Sequence, residues 1–198
     1  MSTTKKHPSL PALVATAMLS AVALVLMLLE FPLLPAAPYL KMDFSDIPAV
    51  LAGVLFGPAY GVLTELLKNL LEMLIKGLGT QMGFGNLQNF LIGCAYVLPF
   101  SLLYRRGEKK GNRPAATVSL AAAVSIFTML IVGFLSNLAV APLFFAVFLG
   151  DPLGEGEALA AAAVSLPFNL IKGAILVVLS VLLVKLLLKA KPVQRLMQ

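Results

Sequence analysis

Long apolar runs alternate with short polar segments along the whole chain. The runs predict six helices, over about residues 13–29, 49–56, 59–75, 84–104, 115–141 and 158–188. Crossing a bilayer takes about 20 apolar residues, and most of the runs approach or exceed that length. The second is short because Gly57 and Pro58 interrupt it, since proline lacks an amide donor and clashes with the preceding turn. The pattern predicts an all-α, polytopic membrane protein with six transmembrane helices.

Two prolines and the first run allow more than one interpretation. Pro142 is predicted to end or bend the fifth helix, and Pro167 to kink the sixth or lie near its start. A cleaved signal peptide also begins with positive charge and an apolar run, as this chain does. The run is long for a signal peptide, however, and PLLPAAP is a poor cleavage context, so a first transmembrane helix is favoured.

Composition supports the membrane assignment. Hydrophobic residues make up 60% of the chain and charged residues 12%, and the mean hydropathy is +0.96. A soluble domain of 198 residues would normally have about twice that charged fraction. We expect one membrane domain over residues 1–198, so any nucleotide chemistry in the cytosol would need a partner chain.

The positions of lysine and arginine predict the orientation. They concentrate before the first helix, in a loop at about 105–114, and at the C-terminal end. Cytoplasmic loops retain positive charge, so both termini and this basic loop should be cytoplasmic. An outer lid loop at about 30–47 and the acidic DPLGEGE segment should face outside. The net charge of +6 is then explained by topology rather than by nucleic-acid binding.

The third predicted helix carries a polar stripe at helical spacing, formed by Glu65, Lys68, Asn69, Glu72 and Lys76. An ion near the membrane centre costs about 2.5 to 3.5 kcal/mol, whereas each leucine returns only about 0.5 kcal/mol. The stripe must therefore face protein or a water-filled cavity. Lys68 and Glu72, four residues apart, are predicted to neutralise each other in part. The stripe is either an internal ion-pair network or part of a transport or coupling surface.

Amide side chains recur at a similar depth on three other predicted helices. The group consists of Asn86, Gln88, Asn89, Asn137 and Asn169, with Lys172 on the same face as Asn169. Isolated membrane asparagines often only join helices. Amides at one depth can instead converge on one ligand, and they suit a neutral heterocycle with alternating carbonyl and N–H edges.

Conventional catalytic patterns are weak or absent. His7 and Cys94 are the only histidine and cysteine, which excludes metal clusters, disulfides and Cys/His nucleophile pairs. The glycines of GLGTQMGFG follow no strand and precede no GK[ST] sequence, so they predict an outer turn between helices 3 and 4. Without a Walker motif the chain cannot hydrolyse ATP itself. We expect no enzyme activity and no cofactor.

The segment FPLLPAAPYLKMDFSDIPAVLAGVLFGPAYGVLTELLKN, with the later GNLQNF and PFNLIKG, resembles the substrate-binding S components of energy-coupling factor (ECF) vitamin transporters. The resemblance is greatest to the riboflavin-specific S component and spans nearly the whole chain. It implies a six-helix fold in the bacterial plasma membrane and an outward-facing vitamin site closed by the first outer loop. It also implies delivery of riboflavin to a transmembrane T component with two ATPase subunits.

The same resemblance implies roles for individual residues. Asn137, Asn169 and Lys172 would contact the flavin ring. The side chains expected to close around the ring or the ribityl chain are Leu40, Lys41, Asp43, Phe44, Asn86 and Asn89. In this family an alanine face on the first helix contacts the T component, and here that face would be Ala17 and Ala21. From the residues alone, packing of this face within the chain is an equal alternative.

Other functions stay open at this point. The fold does not encode the ligand, so another vitamin or precursor is the first alternative. A stand-alone membrane channel or enzyme, with the helix 3 ions lining its path, is the second. The shortage of arginine near the outer site argues against a requirement for a phosphate group on the ligand.

Overall fold

The computed structural model describes residues 10–35, 37–77, 83–111, 114–150 and 153–188. Across these residues the chain forms six α-helices, which are α1 (Leu10–Leu28), α2 (Asp46–Leu55), α3 (Pro58–Lys76), α4 (Phe84–Lys109), α5 (Pro114–Phe144) and α6 (Glu155–Leu188). A π-helical turn, Phe145–Leu149, follows α5. The six-helix, all-α architecture predicted from the apolar runs is confirmed.

The helices differ in how they can meet a bilayer. Within the described ranges, four are long and apolar enough to cross a membrane by length and composition, namely α1, α4, α5 and α6. With ten residues, α2 spans only about 15 Å. The 19 residues of α3 include the charged stripe, whose side chains from Glu65 to Glu72 are buried inside the bundle. The bundle therefore encloses α2 and the charged face of α3, the parts that lipid would accept least well.

The short helix α2 lies among the others and contacts α1, α3, α4 and α6. All ten of its residues are buried. The helix is followed by Gly57, whose φ of 129° is accessible to glycine, and Pro58 then opens α3 at its first position. At this end Arg105 of α4 donates hydrogen bonds to the carbonyl oxygens of Val54 and Leu55, at 2.6 and 3.1 Å. The predicted break at Gly57 and Pro58 is confirmed.

Two predicted helix ends are wrong. The fourth helix continues to Lys109, so Arg105 and Arg106 lie on α4 and the basic loop predicted at 105–114 is shorter. Arginine and lysine are good helix formers, and cations are favourable near a helix C-terminus. Pro142 does not end α5, which continues to Phe144, so a bend at this residue stays a prediction. Pro167 lies inside α6, and a kink there also stays a prediction. Prolines are tolerated inside membrane helices where neighbouring helices satisfy the freed backbone groups.

The segment between α1 and α2, which we call the lid (residues 30–45), contains a small hairpin. Its strands β1 (Phe31–Pro32) and β2 (Lys41–Met42) pair antiparallel, with Phe31 opposite Met42. The helix after it begins at Asp46, so the lid is slightly shorter than the predicted 30–47. The predicted glycine-rich turn between α3 and α4, and the basic residues at both chain ends, lie largely or wholly outside the described residues.

Candidate substrate-binding site

A cavity of about 320 Å³ lies at one end of the bundle. Its walls come from the lid, the ends of α1 and α3, the start of α4, and α5 and α6. Its lining residues are mostly polar and include Glu30, Tyr39, Lys41, Asp43, Glu72, Lys76, Asn86, Gln88, Asn89, Asn137, Asn169 and Lys172. Protein sites for small organic molecules have volumes of about 300 to 1,000 Å³, so the cavity has the size of a ligand site.

Most of the predicted substrate-binding side chains share this cavity. Those that line it are Leu40, Lys41, Asp43, Asn86, Asn89, Asn137, Asn169 and Lys172. Phe44 is not among the lining residues, because its ring packs against the buried core and against Phe31, with ring centroids 6.4 Å apart. Contact of the eight residues with a ligand stays a prediction.

Two buried amides reach the cavity from neighbouring helices. Asn137 on α5 is 6% exposed and Asn169 on α6 is 2% exposed. The Asn137 Nδ2 donates to the carbonyl oxygen of Gly133 at 2.8 Å, and because a carbonyl only accepts, this contact orients the amide. Its Oδ1, and the amide of Asn169, have no hydrogen-bond partner within the described part of the chain. These groups are available to a ligand.

Lys172 connects α6 to the lid. Its Nζ lies 3.0 Å from Asp43 Oδ2 and 3.3 Å from Asp46 Oδ2. The other Asp43 oxygen accepts a hydrogen bond from the backbone N–H of Ser45 at 2.8 Å, and also contacts the Ser45 hydroxyl. The lid is therefore held against the helix that carries Asn169.

Lys68 holds the lid from the other side. Its fully buried ammonium group contacts the Asp46 carboxylate, donates to Ser45 Oγ at 2.7 Å, and lies 2.8 Å from Glu65 Oε2. The Glu65 contact is an ion pair by distance, because neither Glu65 oxygen has a hydrogen-bond partner among the described residues. We call Asp43, Ser45, Asp46, Glu65, Lys68 and Lys172 the lid network. It places three carboxylates around two ammonium groups.

The predicted pairing of Lys68 with Glu72 is wrong. Glu72 lies one turn nearer the rim, where its carboxylate is 2.7 Å from Lys76 Nζ and accepts from Asn86 Nδ2 at 2.6 Å. Asp46 and Glu65 occupy the surroundings of Lys68 instead. The interpretation of the stripe as an internal ion-pair network is confirmed, and its last members, Glu72 and Lys76, also line the cavity.

A second ion cluster lies at the cavity rim. Glu30 Oε1 is 2.7 Å from Lys41 Nζ and 2.9 Å from Lys76 Nζ, which joins the hairpin to the end of α3. Partial burial favours the neutral form of Glu30, but the two ammonium groups outweigh it and lower the pKa of the carboxyl group below its usual value. The rim is therefore closed by charges that remain partly exposed to solvent.

Some lining residues carried no functional signal in the sequence. Met27 and Ile92 line the cavity but stand in apolar helices, where nothing distinguishes them from lipid-facing side chains. Phe168 also lines it, and its position beside Asn169 in PFNLIK was a usable signal. Glu30 stood at the edge of the lid, with no indication that two lysines would meet it.

The alanine face of α1 lies on the outside of the bundle. Ala17 and Ala21 are exposed, whereas Ala12, Thr16 and Ser20 of the same helix are buried. Packing of Ala17 and Ala21 within the chain, the alternative left open by the sequence, is therefore wrong. Their contact with a partner stays a prediction.

Three kinds of comparison with known proteins give related matches. A family model described as "ECF transporter, substrate-specific component" matches residues 12–184. The riboflavin transporter FmnP of Bacillus subtilis (strain 168) is 37% identical over 177 residues, which cover 88% of this chain and 90% of the relative. The riboflavin transporter RibU of Staphylococcus aureus (strain TCH60) is 33% identical over 172 residues, covering 86% and 87%. A solved S component of a bacterial ECF transporter has 30% identity and a TM-score of 0.68, covering 90% of this chain and 98% of its own.

Proposed function

This chain belongs to the family of ECF transporter substrate-specific components, and from that membership we propose that it captures riboflavin outside the cell for import. In this proposal it delivers the vitamin to a transmembrane T component and two ATPase subunits. The curated relatives named above are riboflavin transporters, and their similarity extends over most of both chains. The activity we assign is transport across the bacterial plasma membrane rather than catalysis.

The Asn137 Oδ1 and the Asn169 amide, which have no hydrogen-bond partner among the described residues and share one cavity, carry the ligand assignment. A flavin ring presents two carbonyl oxygens and one N–H along a single edge. The free Oδ1 of Asn137 suits the ring N–H, and the amide of Asn169 suits a ring carbonyl. Lys172 Nζ donates a hydrogen bond to Asp43 Oδ2 and pairs with Asp46 by distance alone, so N–H donor capacity is left for the ligand.

Charge supports an outward-facing cavity. Arg105, Arg106 and Lys109 lie at the end of α4, whereas the cavity lies at its beginning, beside Asn86 and Asn89. Positively charged ends of membrane helices are retained in the cytoplasm. We therefore place the lid outside and both chain termini inside, so that riboflavin enters past the lid and leaves through the partner module.

Binding by the detergent-purified protein tests the ligand assignment. A bound flavin makes the protein yellow, and quenching of flavin fluorescence gives the Kd. Asn169→Ala removes a buried polar partner of the ligand and should weaken binding about tenfold or more, with Lys172→Ala weaker as well. Ser165→Ala removes a buried hydroxyl that bonds only within α6, and should leave the Kd unchanged. Unchanged affinity in both cavity variants would remove the site assignment.

Reconstitution tests the transport class. Vesicles that contain this chain alone should accumulate no riboflavin, whereas vesicles with the T component, both ATPase subunits and ATP should accumulate it. Sustained conductance or turnover by the chain alone would instead support a channel or an enzyme. Binding of a different vitamin with no binding of riboflavin would keep the class and replace the ligand.

A further inference from the structure

The side-chain amide of Asn169 packs directly against Gly133 of α5. A Cβ atom at this position would lie 2.3 Å from Asn169 Nδ2 and 3.2 Å from its Cγ. Real Cβ atoms essentially never come within 3.0 Å of another heavy atom outside their own chain neighbours, so any side chain here must displace the amide. Gly133 is itself buried between the helices. The missing side chain is thus a requirement of the Asn169 position.

The same residue also contacts the other amide. The carbonyl oxygen of Gly133 accepts the hydrogen bond from Asn137 Nδ2 at 2.8 Å. One residue therefore orients Asn137 through its backbone and admits Asn169 through its lack of a side chain. Both amides belong to the cavity wall, and neither has a charged partner that could hold it in place.

A displaced Asn169 amide has little space except the cavity. The residue is 2% exposed, and Ile92 Cδ1 lies only 3.8 Å from the position of the added Cβ. Interiors are close-packed, so an atom pushed from one contact needs an equal volume elsewhere. Asn169 lines the cavity, which provides open volume beside its amide. Displacement would place the amide where the ligand belongs and turn its polar atoms.

We propose that Gly133 is a positioning residue for substrate recognition, which acts by fixing the Asn169 amide against α5. The inference rests on the proposed function, because its effect on binding passes through Asn169. It assigns a role in binding to a residue that makes no side-chain contact with any ligand. Small residues in membrane helices commonly allow close helix packing, and at this position the closely packed group is part of the site.

A double-mutant cycle tests the inference, with Gly133→Ala, Asn169→Ala and the double variant. Gly133→Ala should weaken riboflavin binding about ten- to a hundredfold, since one recognition group is lost and cavity volume is filled. The double variant should bind as Asn169→Ala does, within about threefold, because the amide that the methyl group displaces is already gone. It also keeps the test valid if Gly133→Ala alone is not recovered folded.

Gly173→Ala is the matched control, because it also adds a methyl group between α5 and α6. That methyl group meets the flexible side chains of Ile126 and Met129 at 3.1 and 3.5 Å, and reaches neither amide. The Kd for riboflavin should change less than about threefold, and the gain in helix propensity is the same in both substitutions.

The thermal unfolding midpoints of wild type, Gly133→Ala, Asn169→Ala and the double variant, measured without ligand, give an independent cycle. Gly133→Ala should lower the midpoint in the wild-type background and have little effect beside Asn169→Ala. If the two substitutions are coupled in their effect on the midpoint but the wild type binds no riboflavin, the contact between Gly133 and Asn169 is retained and the proposed function is rejected. Additive effects of the two substitutions in both cycles, or an unchanged Kd in folded Gly133→Ala, would overturn the inference.

Discussion

Lys68→Met removes a fully buried ammonium group and keeps a side chain of similar length. The lost charge lies 2.8 Å from Glu65 Oε2, contacts Asp46, and both carboxylates are no more than 1% exposed. Lys172 still neutralises part of the Asp46 charge from 3.3 Å, but Glu65 keeps no cation within ion-pair distance among the described residues. Removing one partner of a buried ion pair costs about 3 to 5 kcal/mol, because the remaining charge stays buried. We expect a loss of that size in the free energy of unfolding.

Lys76→Met is the matched comparison. Lys76 also lies between two carboxylates, Glu30 and Glu72, but its side chain is 39% exposed. Ion pairs open to water contribute only about 0 to 1 kcal/mol. The two substitutions remove the same group with similar partners, so their difference measures the effect of burial.

Denaturant titration of the purified proteins, followed by circular dichroism, measures both losses. Adding Glu65→Gln to Lys68→Met should recover about half of the loss, because the double variant no longer buries that uncompensated carboxylate. Riboflavin affinity should also fall in Lys68→Met, since Ser45 and Asp46 lose a contact that holds the lid. A loss no larger than that of Lys76→Met, or no recovery with Glu65→Gln, would refute this account of the lid network.

Three further outcomes are expected. Arg105→Met should cost about 2 kcal/mol of unfolding free energy through the two charged hydrogen bonds to the end of α2, while exposed Arg106→Met should cost much less. Because folding lowers the pKa of Glu30, its carboxylate stabilises the fold at pH values above the ordinary pKa of 4.5. The difference in unfolding free energy between wild type and Glu30→Gln should stay constant above about pH 5 and shrink as the pH falls through and below 4.5. A difference that stays constant over this whole range would contradict this. Ala21→Leu should reduce co-purification with the T component at unchanged riboflavin Kd. Val22→Leu, which is also exposed but lies about 100° from Ala21 around the helix, should not.

The helices were predictable because each apolar run must satisfy its backbone hydrogen bonds within itself in a membrane. Helix ends were less predictable. Arg105 and Lys109 were assigned to a loop from their charge, yet both residue types extend a helix readily and suit its C-terminal end. The enclosure of α2 was also not apparent, since the apolar run predicted at about 49–56 has the same pattern whether it contacts lipid or protein.

The site divides in a similar way. The convergence of Asn137, Asn169 and Lys172 followed from their depth in the membrane, because helices that cross together bring equal depths side by side. The ion partners did not follow. Lys172 meets Asp43, 129 residues earlier in the chain, and spacing within one helix cannot report which loop folds over it. For the same reason Lys68 was assigned to its neighbour Glu72.

The helix α2 is held at both ends by ions. Its first residue, Asp46, lies between Lys68 and Lys172, and its last two carbonyl oxygens accept hydrogen bonds from Arg105. Ten residues of helix form a stiff rod of about 15 Å, buried along its whole length. A lid that opens must either release Asp46 and leave the rod in place, or pull the rod and strain the contact with Arg105. In the second case the displacement of one short helix would transmit an event at the lid to the end of α4 that carries Arg105.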